Sequence, residues 1–183
     1  MKKLLAILCV LAMVFSFAAC DSEKEEKTES SYKDAVKVYQ KIMNGDLKQI
    51  KKLAPDKVWE LYEEETGKSY DEYIEMMEES YADFKEELEN ESGSDSKITI
   101  SVAEAEECGE EILEKMADAI NERYEIKKSD VKAAYEVTLT MKYQGSKGTE
   151  TEDQDCYIVQ IQKDWYIVNY GEYDGEAYVS FRF

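Results

Sequence analysis

The side chains that could carry chemistry in this chain are limited by the absence of histidine from its 183 residues. Imidazole is the commonest general base and the usual partner of a serine or cysteine nucleophile. Among the carboxylates, Glu136 lies in a predicted strand, where its neighbours of the same parity include Lys132, Thr138 and Lys142. We expect a carboxylate in that company to face solvent rather than to be desolvated as a catalytic acid. The sequence therefore predicts no catalytic residue and no enzyme.

Metal binding is limited by the same composition. The chain has no histidine and four cysteines, so it is poor in the usual ligands of zinc and transition metals. Four acidic residues, Glu150, Glu152, Asp153 and Asp155, crowd a segment that we predict to be a polar loop. Their spacing lacks the alternating ligands and central glycine of an EF-hand. We therefore expect a solvated acidic loop, with no metal and no cofactor.

The cysteines allow two interpretations. Cys9 lies in the apolar N-terminal run and Cys20 directly follows it, which leaves Cys108 and Cys156. In an oxidising compartment these two are a candidate disulfide, and they are equally compatible with two buried thiols. The sequence leaves both open, because a disulfide requires Cα atoms within about 7 Å of each other.

Aromatic side chains are the remaining candidates for a site, since the chain holds 14 Tyr and 2 Trp. Trp59 and Tyr62 lie on a predicted helix, and Tyr135 and Trp165 lie on predicted strands. Helices packed on a sheet would allow these four residues to line one ligand pocket. The alternative is ordinary core packing, which is what most aromatic residues at helix and strand spacing do.

The charge of the chain restricts its partners. The formal net charge is −19, and loss of an N-terminal leader containing Lys2 and Lys3 would bring it to −21. Such a surface repels the phosphates of nucleic acids, so we expect no nucleic-acid partner. Most of the acidic residues are expected to lie on solvated helix faces.

The N-terminus has the pattern of an export signal. Lys2 and Lys3 precede an apolar run, Leu4–Phe17, that is short for a membrane span. The run ends in Phe17-Ala18-Ala19-Cys20, which resembles the lipobox of bacterial lipoproteins, although Phe17 stands where that motif prefers leucine. The resemblance implies a signal peptide over residues 1–19 and a diacylated Cys20, with an ordinary signal peptide as the alternative.

The polar segment that follows is expected to be a tether. Residues 20–31 contain no large apolar side chain, so they cannot bury a core and are expected to be disordered. Together with a lipid on Cys20, this segment predicts a domain held at the outer face of the bacterial plasma membrane.

Five helical segments are predicted from periodicity and capping signals. Ser69 and Glu72 form a capping-box pattern before the longest of them, whose stripe runs to Leu88. Pro55 suits the first turn of another. The predicted helices are Tyr32–Asn44, a short helix carrying Leu47 to Leu53, a helix from Pro55, the helix from Ser69 to Leu88, and Glu110–Tyr124.

Strands are predicted after and between the helices. Residues alternate over thirteen positions from Val131 to Tyr143. Further strands are predicted at Lys97–Val102, Cys156–Gln162 and Trp165–Tyr170. The segment Glu176–Phe183 is either a last edge strand or a frayed chain end.

The register between the last predicted strands decides which residues face the helices. If Lys163-Asp164 is a two-residue turn, Trp165 and Ile167 lie on one face of the sheet, and a change of one residue moves them to the other. The set sharing the opposite face is then Tyr157, Val159, Ile161, Tyr166, Val168 and Tyr170. Either register leaves large apolar groups on an outer face, so we expect the C-terminal tail, a second copy of the chain or a partner to cover it.

The order of elements predicts an α+β fold over residues 32–183, with N-terminal helices packed on a curved antiparallel sheet of about four strands. The turn and strand from Lys163 to Val168, and the Ala35, Val38, Tyr39, Asn44 and Asp46 pattern, resemble the nuclear-transport-factor-two-like (cystatin-like) superfamily, in particular its bacterial lipoproteins of unknown function. The resemblance implies a cone-like fold with Trp165 and Ile167 toward the helices. Members include isomerases, dehydratases and binding modules, so fold alone assigns no function.

The sequence as a whole favours a membrane-anchored, non-catalytic binding domain for an unknown ligand or protein partner. A module that forms a homodimer through its outer sheet face and an enzyme of the cone-fold isomerase type are the two alternatives.

Overall fold

The computed structural model describes residues 31–174 and 176–182. The predicted signal peptide, Cys20 and nearly all of the predicted tether lie outside the described residues. Within them, every helix is too short or too polar to cross a membrane.

Among the residues that the structure describes, there are four α-helices and two 3₁₀ helices, of which the 3₁₀ helix Lys128–Asp130 was not predicted. Ser31 caps α1 (Tyr32–Met43) and Ser69 caps α3 (Tyr70–Ser92), each through a complete capping box. Pro55 precedes α2 (Asp56–Thr66), which ends at Gly67 with φ 69°, a conformation that glycine adopts without strain. The others are α4 (Glu110–Tyr124) and the 3₁₀ helices Leu47–Leu53 and Lys128–Asp130.

In the described part of the chain, five strands form one antiparallel sheet whose order follows the sequence: β1 (Lys97–Glu107), β2 (Val131–Gly145), β3 (Gly148–Ile161), β4 (Asp164–Tyr173) and β5 (Glu176–Phe181). The α+β class is therefore confirmed, and the expected number of about four strands is wrong. The predicted tail is an edge strand paired with β4, which extends the sheet instead of covering a face.

The acidic segment predicted as a loop is also a strand. Asp153 and Asp155 lie opposite Thr140 and Thr138 in the β2–β3 pairing, and each threonine hydroxyl donates a hydrogen bond to the carboxylate across from it. The connection between β2 and β3 is only Ser146-Lys147. Cross-strand polar pairs of this kind allow a strand without apolar alternation to extend the ladder.

The core divides into two clusters, one on each face of the sheet, because helices cover both faces. On one face, Ala35 and Val36 of α1 pack with Val137, Leu139 and Ile158. On the other face, Met116 and Ile120 of α4 pack with Val159, Val168 and Val179, in a larger cluster that continues into α2 and the first 3₁₀ helix. We call these the α1 face and the α4 face.

Helix α1 also reaches the free edge of β1. The side-chain amide of Asn44 accepts from the Ile98 nitrogen at 3.1 Å and donates to the Ile98 carbonyl at 2.8 Å. Gln40 accepts from the Ile100 nitrogen at 2.9 Å. One side chain of α1 and one of its C-cap residue thus take three of the hydrogen bonds that a further strand would otherwise make.

Candidate functional site

The β3–β4 turn positions a cleft that contains the predicted site residue Trp165. Ile161 pairs with Asp164, so the two-residue turn is Gln162-Lys163, one position earlier than expected. The predicted sharing of faces is unchanged by this shift: Trp165 and Ile167 lie on the α1 face, and Tyr166 and Val168 lie on the α4 face. Trp165 and Tyr166 therefore point to opposite sides at the end of the sheet where α1 begins.

A groove of about 390 Å³ lies at this end, between α1, the first 3₁₀ helix and the β3–β4 turn. We call it the turn-end groove. Its apolar lining consists of Ala35, Val38, Ala54, Trp165 and Tyr166, and its charged lining consists of Asp34, Lys51, Lys52, Asp56 and Asp164. The volume lies within the range of about 300–1,000 Å³ that is typical of small-ligand sites.

Several of the charged groups in the turn-end groove already have a partner. Lys37 binds Asp34 at 2.8 Å and holds the pKa of that carboxyl below its usual value, with help from the Ser31 backbone. Lys51 lies 3.9 Å from Asp56 and over the ring of Tyr70, 5.8 Å from its centroid. Among residues 31–174 and 176–182, Lys52 and Asp164 make no ion pair within 4.0 Å. One positive and one negative charge thus remain for a ligand.

Tyr166 forms the border between the turn-end groove and a neighbouring cleft that also contains Asp56 and Asp164. Burial, followed by the nearby carboxylates Asp164 and Asp56, raises the pKa of Tyr166 to about 12. Its hydroxyl therefore stays protonated at neutral pH and can donate a hydrogen bond.

The four aromatic residues predicted to line one pocket are divided into two clusters. Trp59, Tyr62, Tyr70 and Tyr73 form the first, the Trp59 cluster, in which the Trp59 ring lies 5.2 Å from Tyr70 and 5.4 Å from Tyr73. Tyr32, Tyr135 and Trp165 form the second, the Trp165 cluster, with centroids 4.8 to 6.3 Å apart. Trp165 lines the turn-end groove, and Trp59 is core with 4% of its surface exposed.

Trp59 nevertheless acts on the groove through the backbone. Its indole nitrogen donates a hydrogen bond to the Lys51 carbonyl at 3.1 Å, which fixes the end of the 3₁₀ helix that carries Lys51 and Lys52. Trp59 is therefore a positioning residue for the groove.

The candidate disulfide is not formed. Cys108 and Cys156 are free thiols, and they belong to clusters on opposite faces of the sheet. Burial raises the pKa of both thiols, that of Cys156 to about 11, so neither is a thiolate nucleophile at neutral pH.

The carboxylates show no metal or acid–base arrangement of the usual kind. Of residues 31–174 and 176–182, no three His, Cys, Asp or Glu side chains are grouped to hold a metal ion. Glu136 is exposed, as expected, and lies opposite Glu106 on β1 and Tyr157 on β3. Within the same part of the chain, no Asp or Glu is fully buried, so every carboxylate keeps contact with water.

Sequence reasoning missed the charged half of the groove. Asp34, Lys51, Lys52 and Asp164 come from three separate segments, and nothing in their local spacing distinguishes them from the solvated charges elsewhere. The turn predicted at Lys163-Asp164, which the structure places at Gln162-Lys163, was a local signal, because residues next to a tight turn are held at the end of the sheet.

Comparisons with family models, with curated proteins and with solved structures found no match to this chain. The resemblance to the nuclear-transport-factor-two-like superfamily therefore stays a prediction.

Proposed function

We propose that this protein is a membrane-anchored, extracytoplasmic binding domain without catalytic activity, and that the turn-end groove is its ligand site. The observation that carries the proposal is the meeting of Trp165, an apolar floor and two opposite charges in one cleft of ligand size. A cone-like fold of the nuclear-transport-factor-two-like type, with a lipid on Cys20, is part of the same proposal.

A non-catalytic role is supported by the chemistry of the groove. Its carboxylates are solvated or paired with lysine, and the chain offers no imidazole to accept a proton. Trp165 and Tyr166 instead supply the ring surface and hydroxyl donor that binding sites commonly use.

Native mass spectrometry of the full chain extracted from membranes in mild detergent tests both halves of the proposal. We expect a mass increase for diacylglycerol on Cys20 and a bound small molecule. Trp165→Ala should lose the small molecule, and Tyr178→Ala, which removes an aromatic side chain 52% exposed on β5, should retain it. An unmodified Cys20 would contradict the anchor. Retention of the ligand by Trp165→Ala would contradict the site.

Homodimerisation is a weaker candidate. The apolar set expected on an outer face, including Tyr157, Tyr166 and Tyr170, packs against the cluster that α4 completes. Less of that face is left for a second copy, although Tyr173 on the adjoining hairpin is 75% exposed. Light scattering of the full chain in detergent, corrected for the micelle, distinguishes a monomer from a dimer.

A further inference from the structure

We propose that the ligand of the turn-end groove is a small zwitterion with an apolar side chain, of the size of a dipeptide. This inference rests on the proposed function and names the class of ligand. Three features of the groove lead to it: its remaining charges, its apolar floor and its size.

The unpaired charges of the groove favour a ligand that carries both a positive and a negative group. The internal pairs Asp34–Lys37 and Lys51–Asp56 leave Lys52 as the unpaired cation of the groove and Asp164 as the unpaired carboxylate among its described residues. An anionic ligand would be attracted by Lys52 and repelled by Asp164. A cationic ligand would be attracted by Asp164 and repelled by Lys52. A ligand carrying an ammonium and a carboxylate satisfies both groups.

The apolar floor selects what lies between the two charges. Ala35, Val38 and Ala54 are small side chains that leave room beside the Trp165 ring. Trp165 is half-buried and packs on Tyr135, with ring centroids 5.7 Å apart, so its orientation is fixed before a ligand arrives. A pre-oriented ring favours an aromatic or branched aliphatic side chain, because little freedom is lost on binding.

The backbone positions of the two charged residues are also fixed in advance. Lys52 follows Lys51, whose carbonyl is held by the Trp59 indole, and Asp164 is held in the β3–β4 pairing opposite Ile161. The groove of about 390 Å³ accommodates a dipeptide and is small for a longer folded peptide segment.

Isothermal titration calorimetry of the full chain in detergent tests the inference with three probes: glycyl-phenylalanine, its N-acetyl form and its C-terminal amide. We expect the free dipeptide to bind, and each capped form to bind at least about tenfold more weakly, because each lacks one charge-assisted hydrogen bond.

Protein variants assign each charge. Lys52→Gln should weaken binding of the free dipeptide about tenfold and leave the affinity for the C-terminal amide unchanged. Asp164→Asn should also weaken binding of the free dipeptide about tenfold, and it should leave the affinity for the N-acetyl form unchanged. Both side chains are exposed, so both variants should fold. Lys48→Gln, on the same 3₁₀ helix, and Asp83→Asn, on α3, are matched controls outside the groove and should bind like the unmodified chain.

Equal affinity of the three probes, or equal loss in the control variants, would overturn the zwitterion inference. That failure is distinguishable from failure of the proposed function. If native mass spectrometry finds a small molecule that Trp165→Ala loses, the groove is a ligand site even where all three probes fail.

Discussion

The two tryptophans of this chain occupy contrasting regions, although both belong to tyrosine-rich clusters. Trp59 lies among helices, with its ring buried and its indole nitrogen bonded to a backbone carbonyl. Trp165 lies where α1 begins, half-buried and beside charged residues of the turn-end groove. Composition and ring contacts are alike in the two clusters. The surroundings of each cluster, rather than its residue types, decide whether it is core or site.

Removing the two indoles gives the sharpest test of this contrast. Trp59→Ala should lower the free energy of unfolding by about 3–5 kcal/mol, since it leaves a cavity among Tyr62, Tyr70 and Tyr73 and an unpaired Lys51 carbonyl. Trp165→Ala should cost less than half of that, because its ring is half-buried. Urea unfolding followed by circular dichroism measures both.

Equal losses in the two variants would remove the distinction between a core and a site cluster. Trp59→Phe is the matched control, because it retains most of the packing and loses the hydrogen bond to Lys51. We expect Trp59→Phe to lower the free energy of unfolding, but by less than Trp59→Ala does.

Replacing the capping serine next to each cluster should lower the free energy of unfolding by a smaller amount, which is the same for the two clusters. Ser69 caps α3 one residue before Tyr70, and Ser31 caps α1 one residue before Tyr32. Ser69→Ala and Ser31→Ala should each lower the unfolding free energy by about 1 kcal/mol. A Ser31→Ala loss near zero in the same urea titration would show that the first turn of α1 contributes nothing to the Trp165 cluster.

Alkaline pH should affect the Trp59 cluster through Tyr73. Burial, with Tyr62 and Tyr70 nearby, raises the pKa of Tyr73 to about 12, above its ordinary value of 10.0. Because the folded state holds the phenol proton more tightly, this contribution to stability is complete below pH 10.0 and is lost as the pH rises toward 12.

Tyr73→Phe removes that titration. Between pH 9 and 11 the variant should lose less stability than the unmodified chain, as measured by thermal unfolding. Tyr178→Phe, which changes an exposed tyrosine, should lose as much stability as the unmodified chain. Equal alkaline losses in all three proteins would show that Tyr73 ionises as readily in the folded chain as in the unfolded chain.

Acid pH should lower the stability of the fold near the Trp165 cluster. This change should be the smallest of those predicted. The Lys37 hydrogen bond lowers the pKa of Asp34 below 3.8, so this contribution is present above pH 3.8 and is lost as the pH falls through the folded value. The Asp34 side chain is 49% exposed, and solvent screening keeps the contribution small. Asp34→Asn should therefore reduce the slope of stability between pH 5 and 3 slightly, with Asp83→Asn as control. An unchanged slope would show that the Asp34–Lys37 pair does not contribute.

The elements that sequence predicted well are those with local signals. The Ser69–Glu72 capping box, the start of α2 after Pro55 and the alternation of β2 depend on residues within a few positions of one another. The first half of β3 was missed because its pairing with β2 relies on Thr–Asp contacts across strands, which carry no apolar alternation.

The site was predicted only in part, for a related reason. Trp165 was identified from its residue type, but it was wrongly grouped with Trp59, because the sequence does not show that helices cover both faces of the sheet. The charges Lys52 and Asp164 are more than 100 positions apart in the chain, so only the fold brings them together.

The amides of Asn44 and Gln40 have a consequence for how copies of this protein behave at close quarters. A bare outer strand is a template on which another chain can polymerise, and the hazard grows when molecules are concentrated on a two-dimensional surface. By binding three backbone groups of Ile98 and Ile100, the amides of Asn44 and Gln40 cover the first part of that margin. Another chain would have to displace them before it could pair with this stretch of β1.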